Sequence, residues 1–96
     1  VIAARPSREA VARWNGSYAE QTAALFAAMR STTDIRAIRR LARAYREVAG
    51  AWRILAADLG APLWARHAAS VAAEEFERRA GVEDIRAEQA GPSEGK

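Results

Sequence analysis

Large apolar residues recur along this chain at steps of three and four, the spacing that stacks side chains on one face of an α-helix. Val11, Trp14, Tyr18, Leu25 and Met29 form the first such set, and the pattern predicts that this face is buried. Ser7 stands ahead of the set as an N-cap. Glu9 falls in the first turn, where a carboxylate meets the positive end of the helix dipole. The set stops at RSTTD, residues 30–34, where Ser31, Thr32 and Thr33 compete with the backbone for hydrogen bonds and offer a cap for the next helix. Ile38, Leu41, Tyr45, Val48, Trp52, Leu55 and Leu59 then alternate by threes and fours. They predict a second helix of about 26 residues, roughly 39 Å long. Gly60 supplies its stop, and Pro62 fits the first turn of a third helix, where a missing N–H costs nothing. In the third segment Trp64, Ala68, Val71 and Ala72 share a face, Leu63, His67 and Phe76 fall off it, and Gly81 predicts an end at Arg79 or Ala80. Val82 and Ile85 suit one further docked turn, and residues 89–96 read as a frayed polar tail.

Three long helices with short connections predict an all-α fold, an antiparallel three-helix bundle running up-down-up, as one domain over residues 1–88. Trp14, Tyr45, Trp52 and Trp64 are its expected core. One stretch strains the pattern. Asn15, Gly16 and Ser17 are poor helix formers in a row. A break there would leave Ser17 as a new N-cap with Glu20 completing a capping box. The apolar register passes through the stretch unshifted, however, with Val11 and Trp14 still in phase with Tyr18 and Leu25. The prediction is therefore a continuous helix that tolerates about 1 kcal/mol for Gly16. The triplet Asn15-Gly16-Ser17 also satisfies the glycan acceptor pattern, but a helix flanked by Trp14 and Tyr18 is a poor acceptor.

Trp14-Asn15-Gly16 resembles the WxG signature of the small, secreted, two-helix proteins of type VII export systems. That resemblance implies a signature in a mid-chain turn between two helices, and an acidic residue four places after a tyrosine. Here the triplet lies near the start of the chain, and the positions four after Tyr18 and Tyr45 are Thr22 and Ala49. The likeness is confined to three residues, and the chain is not assigned to that family.

Composition narrows the function classes. Ninety-six residues suffice for a single core, and alanine supplies much of the 50% hydrophobic content, so that core is thin in large side chains. The absence of Cys removes disulfides, thiolate catalysis and Cys-ligated zinc. The segment VIAARPSREA lacks the apolar core of a signal peptide, and no apolar run reaches spanning length. The expected location is cytoplasmic, away from the membrane. No helical arrangement of nucleophile, base and carboxylate emerges. His67 lacks a paired carboxylate in the adjacent turn, and position 64 is Trp where a di-iron bundle would need Glu. The spaced Arg/Lys, Glu and Gln set of the helical chorismate mutases cannot be placed either. The sequence therefore predicts a non-enzyme without metal, cofactor or small-molecule substrate.

Charge gives one candidate site. The net charge is +3, and every positive residue except Lys96 is Arg, a substitution of Arg for Lys so complete that it reads first as coding bias. The positive excess sits in the middle helix, and the C-terminal third is acidic, which favours correct pairing of the segments. Arg36, Arg39, Arg40, Arg43, Arg46 and Arg53 line the face opposite the Leu/Trp seam, interrupted by Glu47. Such a row suits a phosphate backbone, although no aromatic residue interleaves it for base stacking. A charged outer face is also what a solvated helix needs. The second candidate is a protein-binding surface. Phe26, Ile54 and Phe76 fall away from the main seams and are expected to serve a partner helix or a second copy. The leading expectation is a helical interaction or oligomerisation module, with a nucleic-acid-binding accessory domain, of regulator or phage packaging type, as the alternative.

Overall fold

Ser7 opens the first helix as its N-cap: its hydroxyl oxygen accepts from the Ala10 N–H at 3.1 Å. A computed structural model describes residues 7–90, in which this helix, α1, spans Arg8–Arg30, followed by α2 (Ile35–Ala57) and α3 (Leu63–Ala90). No strand occurs among the described residues. α1 runs through Asn15-Gly16-Ser17 without interruption, and Gly16 has no positive φ. The register argument thus prevails over local propensity at this stretch.

The caps differ from the sequence reading in two places. Asp34, rather than one of the preceding hydroxyl residues, caps α2, accepting from the N–H groups of Arg36 and Ala37 at 3.0 and 3.4 Å. A carboxylate there satisfies two orphan donors and also meets the positive end of the dipole. At the other end α2 stops at Ala57, three residues before Gly60. The Asp58 N–H donates to the Leu55 carbonyl, and the Asp58 carboxylate accepts from the Gly60 N–H at 2.8 Å. Leu59 consequently leaves the seam and lies exposed in the connection. Pro62 directly precedes α3, and its carbonyl accepts from the Ala65 and Arg66 N–H groups.

The helices are antiparallel in sequence. Ser7, Trp14 and Glu20 of the first segment meet Asp58, Trp52 and Arg40, so numbers rise on one side as they fall on the other. Likewise Arg53 and Arg46 of α2 meet Glu77 and Asp84 of α3. The up-down-up order follows. α2 is the middle helix, and among the described residues no Cα of α1 lies within 8 Å of a Cα of α3. The three are joined through a shared cluster of Ala24, Ala28, Leu41, Ala44, Tyr45 and Ala80, against which Leu25, Ala37 and Phe76 pack.

The core inverts the expected sizes. Ile38, Leu41, Tyr45 and Val48 are buried as the α2 pattern predicts, but most other buried positions are alanines. On α1 the buried residues are Ala10, Gln21, Ala24 and Ala28, whereas Val11, Tyr18 and Met29 are exposed. On α3 the buried residues are Ala69, Ala73, Ala80 and Ala87, the last three seven residues apart. Alanine has no side chain beyond Cβ, so helices meeting through it approach closely and fill space without large residues. The Trp64 face predicted as core therefore points the other way, and Trp64 is 75% exposed.

Gly81 does not end α3. The helix continues to Ala90 because its second half is held by packing and charge: Ala80 and Ala87 are fully buried, and Asp84 bonds Arg46 of α2. Those contacts outweigh the roughly 1 kcal/mol that a mid-helix glycine costs. Gln89 and Ala90, expected in a frayed tail, are helical, and the remainder of that tail lies outside the described residues. Trp14 and Trp52 sit where α1 and α2 meet, edge to face with centroids 5.1 Å apart, and Tyr18 stacks on Trp14 at 4.9 Å. Both indole N–H groups are enclosed with no hydrogen-bond partner among the described residues.

Candidate functional site

Helical periodicity places the six row arginines across one broad outward arc of α2, and the structure divides them. Arg40, Arg46 and Arg53 lie at the edges of the arc, within reach of the neighbouring helices. Arg40 donates from Nε and Nη2 to Glu20 of α1 at 2.8 and 3.0 Å. Arg53 does the same to Glu77 of α3 at 2.9 and 2.8 Å, and Arg46 bonds Asp84 of α3. Hydrogen bonding to these guanidinium groups holds Glu20 and Glu77 below the usual carboxylate range, and the carboxylates in turn raise Arg40, Arg46 and Arg53. These three arginines brace the bundle.

Arg36, Arg39 and Arg43 occupy the centre of the arc, exposed, and none has a carboxylate within ion-pairing distance among the described residues. With Arg40 they surround a shallow hollow whose other walls are Ala27, Asp34 and Ala37. The Asp34 carboxylate is occupied in capping α2. The hollow is thus cationic and contains no aromatic surface.

The three apolar residues predicted to form a binding face do not lie together. Phe26 is 55% exposed on α1. Ile54 is also exposed, but it borders a hollow shared with Ser7, Glu9, Ala10 and Arg13, at the opposite end of α1 from Phe26. Phe76 is half-buried against Tyr45, ring centroids 5.8 Å apart, and its ring carries the Arg79 guanidinium at 4.8 Å. Burial is also the leading reason the Tyr45 phenol lies above its ordinary value, with Glu83 adding to it. Phe76 packs against the core cluster and Ile54 lies at the other end of α1 from Phe26, so the structure does not bring Phe26, Ile54 and Phe76 into one patch.

A different apolar surface emerges in their place. Trp64, Val71, Val82 and Ile85 are all exposed on α3 and lie on the side of the helix opposite the buried alanines Ala69, Ala73, Ala80 and Ala87. Ala68 is exposed on the same stripe. Between its two apolar halves sit Glu75 and Arg78, bonded to one another at 3.1 and 2.7 Å. Bonds from Arg78 and Arg79 lower the Glu75 carboxyl to about 2. The stripe meets an apolar hollow of about 300 Å³ lined by Trp52, Leu55, Ala61, Pro62, Trp64, Ala65 and Ala69. The signal was present in the sequence: Trp64, Ala68, Val71 and then Val82, Ile85 keep helical spacing. The size of Trp64 and Val71 points to a core, but the side of α3 that is buried is the alanine stripe behind them.

His67 is exposed, and among the described residues no three His, Cys, Asp or Glu side chains converge as a metal site. No described helix is long and apolar enough to cross a membrane. Comparison with protein-family models, curated proteins and solved structures gives no match to this chain.

Proposed function

We propose that this chain is a non-enzymatic helical module whose role is to bind protein, either another chain or itself. The observation that carries this reading is the exposed apolar stripe of α3. A helix packed on one side by alanines needs only polar residues on the other, and here that side presents Trp64, Val71, Val82 and Ile85 to solvent. Large apolar side chains gathered on one exposed helix face, here in two groups on either side of the Glu75–Arg78 pair, support a reading as an interaction site. Tryptophan is moreover the side chain most enriched where binding energy concentrates.

The test is site-specific photocrosslinking in the source cell, with a photoreactive side chain at Val71 and, as control, at Arg43 on the wet arc of α2. Protein adducts from position 71 in clear excess over position 43, to itself or to another protein, support the reading. No adduct from 71, or equal yields from the two positions, overturns it.

Nucleic-acid binding is the alternative reading, favoured by the convergence of Arg36, Arg39 and Arg43 on one cationic hollow. It has less to draw on than the full row implies, since Arg40, Arg46 and Arg53 are already bonded to carboxylates.

A further inference from the structure

The stripe on α3 is complementary to itself when a second copy is laid against it in the opposite direction. Its positions alternate by four and three from Trp64 through Ala68, Val71, Glu75, Arg78, Val82 and Ile85 to Gln89, the seam spacing of a coiled coil. The seam is continuous only because α3 passes through Gly81 and runs to Ala90. Reversing one helix about the midpoint between Glu75 and Arg78 sets Glu75 of each copy opposite Arg78 of the other. It also sets Val71 opposite Val82, and Ala68 opposite Ile85, a small residue facing a large one. Trp64 of each copy falls opposite Gln89 at the ends of the seam, and its centre carries opposite charges.

The flanking rows obey the same rule. In this alignment Arg79 stands opposite Ala72, Arg86 opposite Ala65, and Glu88 opposite His67, so no like charges meet. A parallel, in-register pair fails at its centre, because Glu75 would face Glu75 and Arg78 would face Arg78, both repulsive. A two-fold interface uses the same patch on both copies and must be self-complementary, a condition that an arbitrary apolar stripe on a partner-binding helix has no reason to meet.

We infer that the protein forms an antiparallel two-fold dimer through the outer face of α3, with Glu75 and Arg78 of one copy exchanged against Arg78 and Glu75 of the other. This rests on the reading of the α3 stripe as a protein-binding surface and names its occupant. The Glu75–Arg78 bond within one helix is the resting form of the same pair, and association trades the two intrahelical pairs, one in each copy, for two between copies.

Sedimentation velocity over a concentration series tests this on five samples: wild type, Glu75→Arg, Arg78→Glu, an equimolar mixture of the two variants, and the double exchange Glu75→Arg/Arg78→Glu. Circular dichroism of each monitors helix content. Wild type is expected to dimerise, and each single variant to raise the Kd by more than about tenfold, since each puts two like-charged contacts at the seam centre. The mixture and the double exchange are expected to restore association, because each again sets opposite charges face to face. Wild type that remains monomeric throughout overturns the dimer, as does self-association insensitive to both single variants or a mixture that fails to recover. If position 71 still crosslinks to another protein in the cell, the binding reading survives and only the second copy as occupant is lost.

Discussion

Arg53 donates from Nε and Nη2 to the two carboxylate oxygens of Glu77, clamping α2 to α3 in a two-pronged bond at 2.9 and 2.8 Å. The geometry matches the planar fork of a guanidinium to a carboxylate, and it converts a residue that the sequence offers for phosphate binding into a brace between helices. Because the pair is solvent-exposed, salt screens it and its contribution is small. A double-mutant cycle with Arg53→Ala and Glu77→Ala is expected to show favourable coupling that shrinks as salt is raised, each single variant lowering Tm by a few degrees at most. Coupling of zero at low salt would show that the fork contributes nothing to the fold.

The inverted core makes a sharper forecast. Leu41 is fully buried between the helices and Val71 is half exposed on the outer stripe. Leu41→Ala is expected to cost about 2–5 kcal/mol, the range for removing a large core side chain. Val71→Ala, measured at a concentration where the chain is monomeric, stays within about 0.5 kcal/mol of wild type. Ala80 has no exposed surface, so Ala80→Leu overpacks the junction with α2 and costs about 1–3 kcal/mol. Urea unfolding of the three variants measures all of this. Equal costs at positions 41 and 71 would contradict the packing described here.

The same inversion explains what could be read from the sequence. The middle of α2 was legible, because a middle helix buries a wide face: Ile38, Leu41, Tyr45 and Val48 are buried as their spacing requires, whereas Trp52 and Leu55 are half-buried and Leu59 lies beyond the helix. α1 and α3 make their close backbone approaches to α2 and not to one another, so one narrow stripe per helix suffices, and alanines fill most of it. Periodicity in large residues then traces a flank of α1, where Trp14 and Leu25 are half-buried, and the outer face of α3, which is why the spacing alone points Trp64 inward. The end of α3 departs from the sequence pattern for another reason. Gly81 is a stop signal only when nothing beyond it is held, and Asp84 and Ala87 are held by α2 through contacts between residues far apart in sequence. The arginine row was visible as a row, but its division into braces and free cations depends on carboxylates located on other helices.

Gly16 offers a direct check on the continuous first helix. It is helical, exposed, and a Cβ built there meets nothing within 4 Å. Gly16→Ala is expected to stabilise the protein by about 0.5–1 kcal/mol, chiefly by removing backbone freedom from the unfolded chain. Gly81, also helical with open space around its Cβ, should respond in the same direction. Thermal melts followed by circular dichroism read the shift. Destabilisation at Gly16 would mean that α1 breaks there after all.

Acid should loosen the bundle late. Glu20 is held below the usual carboxylate range chiefly by Arg40, Glu77 by Arg53, and Asp58 by the Ser7 and Gly60 N–H groups, while Arg78 and Arg79 lower Glu75 to about 2. A carboxyl with a lowered folded-state value stabilises the fold fully above its unfolded value, roughly pH 4.3, and loses that stabilisation as pH falls through the lower one. Tm is therefore expected to stay nearly level from pH 7 to 5 and to decline between about pH 4 and 2, with a smaller decline in high salt. A decline beginning near pH 6 would assign the effect to a different group.

The nucleic-acid alternative carries its own quantitative signature. A protein neutralising a given number of DNA phosphates loses affinity with salt along a log–log slope of about −0.9 for each one. The six arginines of the row, if all available, give a slope near −5 by that rule. With Arg40, Arg46 and Arg53 engaged by Glu20, Asp84 and Glu77, only Arg36, Arg39 and Arg43 remain, for a slope of about −2.7. Filter binding of duplex DNA across a salt series should then show weak retention at low salt and that shallower slope. Replacing Arg36, Arg39 and Arg43 with Gln should abolish retention without changing Tm, whereas replacing Arg53 should change Tm and leave the slope alone. No retention of DNA or RNA at low salt disposes of the alternative, and a slope near −5 would show that the braces open to release their arginines.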